Sequence, residues 1–467
     1  MRHFIIFLLT LFLVSCAETP YKGEKVSVTK SNCDCPKIKT EKEDLAKIPE
    51  YGLLKKSDWS VIESSFQSDN LLPAWTAWLR SCSALKQKDA WKKVCDFADD
   101  IKEPSDENIK NYFKNYFNVY TASNMDGSET GIITGYYQPI LKGSKVKTSN
   151  YKIPLYTTPK DLITVDLSEV YPELKSKRLR GKLVGNKLVP YLSRAEIDGK
   201  GSPLAGNEIV WVEDPVEAFF LEIQGSGIIH FDNGEAMQIG YADQNGYPFK
   251  AIGSVLIQKK EITMAEASME GIKNWAKKNI VKLKDFLNVN ASYVFFRKLP
   301  NDLPGPIGAL GVSIEAERSV AIDPKFIPLG APIFLSTTQP NTNEPLDRLM
   351  IAQDTGGAIR GGVRADFYWG TGDDAGRKAG SMKQQGRIWA LLPKDYAFPI
   401  TTQEFVMKRN RIEEASKHSH FKAKTHFCSC WSCPHNISPM RVNNLHSRCI
   451  GQTIGCIYIK YTEQVMN

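Results

Sequence analysis

Two aspartates a short glycine-rich turn apart, the second running straight into three aromatics, constrain this chain more than any other feature. They lie in Gln353-Asp354-Thr355-Gly356-Gly357-Ala358-Ile359-Arg360 and in Arg364-Ala365-Asp366-Phe367-Tyr368-Trp369-Gly370. A carboxyl group in apolar company resists ionisation, so it keeps a proton to give away, as a general acid must. A strand through Asp366 would put Arg364, Asp366 and Tyr368 on one face and Ala365, Phe367 and Trp369 on the other. The acid would then have one polar and one packed side. Taken alone, such an Asp-Gly cluster reads equally as turn aspartates capping a hairpin.

Histidine narrows the chemistry. Of seven His, only His230 lies between the first few residues and residue 417. A Ser-His-Asp or Cys-His centre in the body would have to use it, and a multi-His metal site is excluded there. His230 sits in Ile228-Ile229-His230-Phe231-Asp232-Asn233-Gly234, a strand entering a turn, and reads as structural. Carboxylates, hydroxyls, amides or basic groups must therefore carry the chemistry.

The start of the chain speaks to compartment. Arg2 and His3 precede an apolar run from Phe4 to Leu13, and Leu13-Val14-Ser15-Cys16 follows. That run is shorter than the roughly 20 residues a membrane span needs, and reads as a signal-peptide core. Its ending resembles a bacterial lipobox, with Cys16 as the lipidated first residue of the mature protein. Ala17 after it points to outer-membrane sorting. The expectation is an outer-membrane lipoprotein facing the periplasm, with signal peptide 1–16 and a polar, flexible tether 17–50. The formal net charge of +8 is scattered, with no basic run to track a nucleic-acid backbone, so no nucleic-acid partner is expected.

A chain of 467 residues predicts two or three domains. Helices are expected first. Leu71, Trp75, Trp78, Leu79 and Cys82 share one helical face, and Trp91, Val94, Cys95 and Ala98 another, joined by a short polar link. In an oxidising compartment a Cys82–Cys95 disulfide is predicted; two reduced core cysteines are the alternative. Gly131 to Pro139 is β-rich. From Leu141 to Asp243 the pattern reads as short strands and turns, including the apolar run Glu217 to Gln224 and its Gly-Ser turn. A capping box, Thr263-Met264-Ala265-Glu266, predicts a helix start, with Met269, Ile272, Trp275 and Ala276 on the apolar face. Strands are expected again at 319–324, 331–335 and 349–354.

Several stretches, taken in order, carry a specific resemblance. They are Thr134-Gly135-Tyr136-Tyr137-Gln138-Pro139, Gln224-Gly225-Ser226-Gly227, Asn245 to Gly253, Ser292 to Phe296, Val320-Ala321-Ile322-Asp323-Pro324, Ile327-Pro328-Leu329-Gly330 and the two aspartate segments. Asp323, Asp354 and Asp366 look like the three namesakes of the three-aspartate domain. The whole set resembles the membrane-bound lytic murein transglycosylase A family, from about residue 50 to Pro393.

That resemblance implies a mainly β fold with N-terminal helices (α+β). A double-psi β-barrel domain (51–141 and 246–394) would carry an inserted smaller β domain (142–245), with a groove between them for a glycan strand. It implies a peptidoglycan lytic exotransglycosylase, a murein lyase with no cofactor. The enzyme would cleave the β-1,4 bond between N-acetylmuramic acid and N-acetylglucosamine without water and leave 1,6-anhydromuramoyl ends. Asp366 would act as acid and then base, with Asp354 as its carboxylate partner and Asp323 structural. A like-charged neighbour would help keep Asp366 protonated. Thr134, Tyr137, Gln224, Ser226 and Tyr368 would hold the sugars. The expected partners are glycan strands, the membrane through the lipid anchor, and cell-wall synthesis or division proteins.

Three other functions fit parts of the pattern. A two-carboxylate hydrolase would use Asp354 and Asp366 and make reducing ends. An aspartic protease would use Asp354-Thr355-Gly356, but no second Asp-Thr-Gly or Asp-Ser-Gly is present. A non-catalytic lipoprotein could simply grip peptidoglycan. The tail 395–467 holds five of the ten Cys and five of the seven His, among them His426, Cys428, Cys430, Cys433 and His435. A second Cys-x-x-Cys to pair with Cys430-Trp431-Ser432-Cys433, as structural zinc sites usually have, is absent, so no metal is assigned.

Overall fold

The computed structural model describes residues 51–398, except 172–173, 175–176, 202 and 265. It also describes the backbone of four short strands at 48–49, 400–401, 446–449 and 456–459. Cys16, nearly all of the 17–50 tether and the Cys/His cluster of the tail lie outside the described residues. The chain is a mixed helix and sheet protein, mostly β, with helices first, as the sequence predicts.

Helices Leu72–Leu85 and Asp89–Asp99 fold back on each other and bury the expected faces, with Trp75, Trp78, Cys82, Trp91, Val94 and Cys95 all in the core. Cys82 and Cys95 form the predicted disulfide, their Cα atoms 5.2 Å apart. A third helix, Asp106–Tyr116, starts at Ser105, whose hydroxyl accepts from the Asn108 N–H. Its Tyr112 hydroxyl takes the Trp78 indole N–H at 3.0 Å and donates to the Val94 carbonyl at 2.7 Å, so neither polar tip is orphaned in the aromatic core.

Six strands close into a ring: Gly131–Gln138 (β1), Ser319–Ile322 (β2), Pro332–Thr338 (β3), Pro345–Asp354 (β4), Ala365–Thr371 (β5) and Lys383–Pro393 (β6). Their order is β3-β4-β2-β5-β1-β6, and β6 pairs back onto β3 through Ile333↔Ala390. The β2–β4 and β5–β1 pairs are parallel and the others antiparallel. Closure leaves no free edge around the ring. A buried ion pair clamps the helices to it. Arg318 donates to both oxygens of Asp69 at 2.8 Å, and the Leu349 N–H donates to the same carboxylate at 2.7 Å. The polar atoms of that pair are satisfied, which a buried charge requires.

A second sheet has six strands in the order 294–298, 236–244, 226–231, 140–144, 208–212 and 153–156. The inserted part thus continues past the expected boundary at 245, because Val294–Lys298 pairs with Ala236–Gln244. Two local expectations also change. The Glu217–Gln224 run belongs to a helix, Pro215–Gln224, and not to strands and turns. Asp214 caps it, accepting from Val216 and Glu217, and Gly225 ends it at φ 81°. Those end signals outweigh the apolar run. The Thr263 box does form, with its N–H and hydroxyl both on Glu266, but it closes only a turn. The helix starts later, at Met269, under a Ser268 cap, and buries Ile272, Trp275 and Ala276 as expected.

Beyond residue 410 the described backbone is a single antiparallel pair, His446–Cys449 with Cys456–Ile459. Among the described residues no helix is long and apolar enough to cross a membrane.

Candidate active site

Strand register brings the two aspartates into one row. β2 runs between β4 and β5, and its Ala321 pairs with Asp354 on one side and Asp366 on the other. Asp366 pairs in turn with Thr134 of β1. Paired residues share a face, so Asp354, Ala321, Asp366 and Thr134 line up across four strands. The Cα atoms of the two aspartates are then about 10 Å apart, two strand spacings. Ala321 is the residue between them along the row.

Asp354 is an anchored carboxyl. Its Oδ1 accepts from the Ala309 and Thr355 N–H groups, both at 2.9 Å, and its Oδ2 accepts from the Tyr136 hydroxyl at 3.1 Å. Its strand is locked as well. The buried Gln353 side chain accepts from Ser319 Oγ at 2.5 Å and donates to the Ala77 carbonyl and to Ser81 Oγ. Asp366 is held far less. Its Oδ1 accepts from Thr134 Oγ1 at 2.5 Å, and Thr134 Oγ1 in turn accepts from Arg364 Nη2 at 2.8 Å. Oδ2 of Asp366 receives no hydrogen bond from a described residue and is not sealed from solvent.

Burial pushes both carboxyls above the ordinary aspartate value. For Asp366, the Thr134 hydrogen bond and then the Arg364 charge oppose the rise. For Asp354, the Thr355, Ala309 and Tyr136 donors oppose it. Three donors thus favour the charged form of Asp354, against one hydrogen bond and the Arg364 charge at Asp366. Burial is the first cause for both, and the Asp366 charge adds to the rise at Asp354, so the two carboxyls disfavour each other's ionisation.

Alternation along β5 is as predicted. Ala365, Phe367 and Trp369 enter the main core, and Tyr368 packs on the other face against Tyr136, ring centroids 5.1 Å apart. Tyr368 itself is only 2% exposed, so it supports Tyr136 and offers no surface to a sugar. Asp323 is structural, as expected: it is buried and accepts from the Lys325 and Gly361 N–H groups, fastening the loop before Arg364.

Tyr137, Gln224 and Ser226 form a separate group where the ring meets the inserted part. Tyr137 faces away from Thr134 and lies over Gly376, where a Cβ would sit 2.8 Å from its ring. Its hydroxyl meets Met269 Sδ at 3.5 Å, and it lines a cavity of about 160 Å³ with Lys142, Glu217, Lys273 and Asp373. Gln224 Oε1 accepts the Tyr137 N–H at 2.9 Å. Ser226 starts the next strand, 8% exposed.

Arg364, which alternation already places on the Asp366 face, completes the row together with Tyr136 and the Ala309 N–H, two groups the sequence reading does not assign. Tyr136 lies two residues from Thr134 and Arg364 two from Asp366, so alternation alone signals both. Nothing local signals Ala309, which comes from a loop 45 residues before Asp354. Among the described residues no three His, Cys, Asp or Glu side chains converge as a metal site would need.

The model of the MltA-specific insert domain matches residues 132–297, and that of the 3D domain matches 318–392. The membrane-bound lytic murein transglycosylase A of Vibrio cholerae is 30% identical over 284 residues, covering 59% of this chain and 69% of the relative. This chain belongs to the membrane-bound lytic murein transglycosylase A family. The Escherichia coli K12 relative is 30% identical over 265 residues, and the match spans only 64% of its length and 55% of this chain. The crystal structure of MltA from Neisseria gonorrhoeae has a TM-score of 0.63 at 35% identity, covering 72% of this chain and 91% of that one.

Proposed function

We propose that the chain is a lytic transglycosylase of peptidoglycan, with Asp366 as the single acid and base. The observation that carries this reading is the contrast between the two carboxyls. One is fixed by three donors, and the other is raised by burial with a free oxygen. Thr134 gives its hydroxyl proton to Asp366 Oδ1 while Arg364 donates to the same hydroxyl. With Oδ1 accepting that bond, we assign the proton of the acid to Oδ2, on the open side.

The reaction follows from that placement. Asp366 Oδ2 gives its proton to the glycosidic oxygen, the bond from C1 of N-acetylmuramic acid breaks, and the N-acetylglucosamine hydroxyl leaves. The Asp366 carboxylate then takes the proton from the C6 hydroxyl of the same muramoyl residue, whose oxygen bonds to C1. No water is consumed and the acid is regenerated. Asp354, about 10 Å away along the row, is placed to oppose the positive charge that develops at C1. Its three hydrogen bonds make it a poor nucleophile, which argues against the two-carboxylate hydrolase.

The same reading takes the six-strand ring as a double-psi β-barrel and the second sheet as an inserted domain, with the glycan strand in a groove between them. Its two parallel pairings among antiparallel ones suit that barrel. The free amide nitrogen of Gln224 and the Ser226 hydroxyl are candidates for sugar contacts, with Tyr137 behind them. Cys16 would carry the lipid that holds the enzyme at the outer membrane, facing its substrate in the periplasm.

Mass spectrometry of fragments released from purified sacculi tests the reading. The wild-type protein should release fragments one water lighter than hydrolysis products, and Asp366→Asn should release none. Reducing ends would mean a hydrolase instead, and sacculi bound but uncut by both proteins would mean a binding module.

A further inference from the structure

Strands Leu179–Val184 and Lys187–Pro190 make a hairpin in the inserted part, paired through Leu183↔Leu188 and Val184↔Lys187. Its base is fixed: Arg180 Nε donates to both oxygens of Asp243, at 2.9 and 3.0 Å. Its tip stands clear. Residues 183–188 are all exposed, with Leu183, Val184 and Leu188 at 62%, 57% and 46%. An ordered turn that keeps three large apolar side chains in water is unusual unless something covers them.

The charges around the tip say what kind of surface that is. Between Leu174 and Leu192 the chain has Lys175, Lys177, Arg178, Arg180, Lys182 and Lys187 and no Asp or Glu; Arg180 is paired with Asp243, and Glu196 lies within reach of the Lys182 charge. Lys182 and Lys187 flank the apolar residues directly. Leu183 and Leu188 share one face of the hairpin, with Val184 and Lys187 on the other, so the tip is apolar on both sides and cationic at its rim. Sugars stack on aromatic rings, and the tip has none. Apolar residues ringed by lysines match the boundary between acyl chains and anionic headgroups.

We propose that this hairpin tip is a second membrane contact of the protein. Leu183, Val184 and Leu188 enter the headgroup region of an anionic bilayer, and Lys182 and Lys187 rest on its phosphates. The reading of Cys16 as a lipid anchor supplies only the nearness of that bilayer, so that a weak contact suffices. Two contacts would fix how the inserted part is presented to the wall, where a tether alone leaves it free to turn.

The mature chain from residue 16, carrying Cys16→Ser so that no acyl group intervenes, is sedimented with vesicles of phosphatidylethanolamine and phosphatidylglycerol, and with phosphatidylcholine vesicles. Binding to the anionic vesicles should exceed binding to phosphatidylcholine. It should fall about tenfold or more in a Leu183→Ser, Val184→Ser, Leu188→Ser variant. A Lys182→Gln, Lys187→Gln variant should lose about fivefold and show a flatter salt dependence. The lysine variant leaves the apolar residues in place, so it keeps the test valid should the triple variant fold poorly. Equal binding by wild type and both variants, or none by wild type, would overturn the proposal. So would tip variants that lose purified sacculi and keep vesicles. Fragment release from sacculi is read in parallel: Asp366→Asn should abolish it and the tip variants should not, which separates failure of this proposal from failure of the catalytic one.

Discussion

Replacing Thr134 with valine keeps the shape of the side chain and deletes the only hydrogen bond to the Asp366 carboxyl from a described residue. A hydrogen bond to a charged acceptor contributes about 1.5–3 kcal/mol, and each pKa unit is about 1.4 kcal/mol, so the Asp366 pKa should rise by about 1–2 units. The sign follows from the mechanism. The reaction starts from protonated Asp366, so activity is present below its pKa and is lost as pH rises through it. Burial has already raised that pKa in the wild type, and Thr134→Val should raise it further. The alkaline limb of kcat/KM on sacculi should therefore move to higher pH by about 1–2 units. The plateau should fall about 3- to 10-fold, because a weaker acid transfers its proton less readily. An alkaline limb that stays put, or moves to lower pH, would refute the idea that Thr134 tunes the acid.

Three further outcomes test separate parts of the structure. Tyr136→Phe removes one of three donors to Asp354 and should lower kcat about tenfold, leaving KM and the alkaline limb in place; a kinetic pH profile decides. Reduction of Cys82–Cys95, which closes a 13-residue separation, should cost about 3 kcal/mol, read as a lower urea midpoint with reductant than without. Asp198, raised by burial from 3.8 to about 6, holds a proton in the folded state that the unfolded chain gives up near 3.8. Folding stability is thus lost as pH rises between those values. Asp198→Asn should stabilise by on the order of 2 kcal/mol above pH ~6 and by little below pH ~4, measured as denaturation midpoints across that range.

The faces of the candidate strand were legible because alternation is local information. Alternation along Arg364 to Trp369 assigns every side chain of β5 to its observed face. The same rule applied to Thr134-Gly135-Tyr136 marks Tyr136, whereas Tyr137 points to the other side. The need for Gly135 shows only in the fold, where a Cβ would sit 2.7 Å from the Trp369 indole nitrogen. What was not legible depends on long-range pairing. Val294–Lys298 joins the second sheet through Ala236–Gln244, and no local pattern announces that partner. Phe219-Phe220-Leu221 reads as a buried strand until Asp214 and Gly225 are weighed as helix ends. Thr263 and Glu266 make their box without a helix behind it, so the motif guarantees the contact and not the element.

Cleavage in water labelled with oxygen-18 tests the central claim most directly. A hydrolase must place one labelled oxygen at C1 of each new muramoyl end. An Asp366 that takes the C6 proton and closes the ring must leave that end unlabelled and one water lighter. Unlabelled anhydro ends from the wild-type protein, absent with Asp366→Asn, are the predicted result. Labelled reducing ends would contradict it.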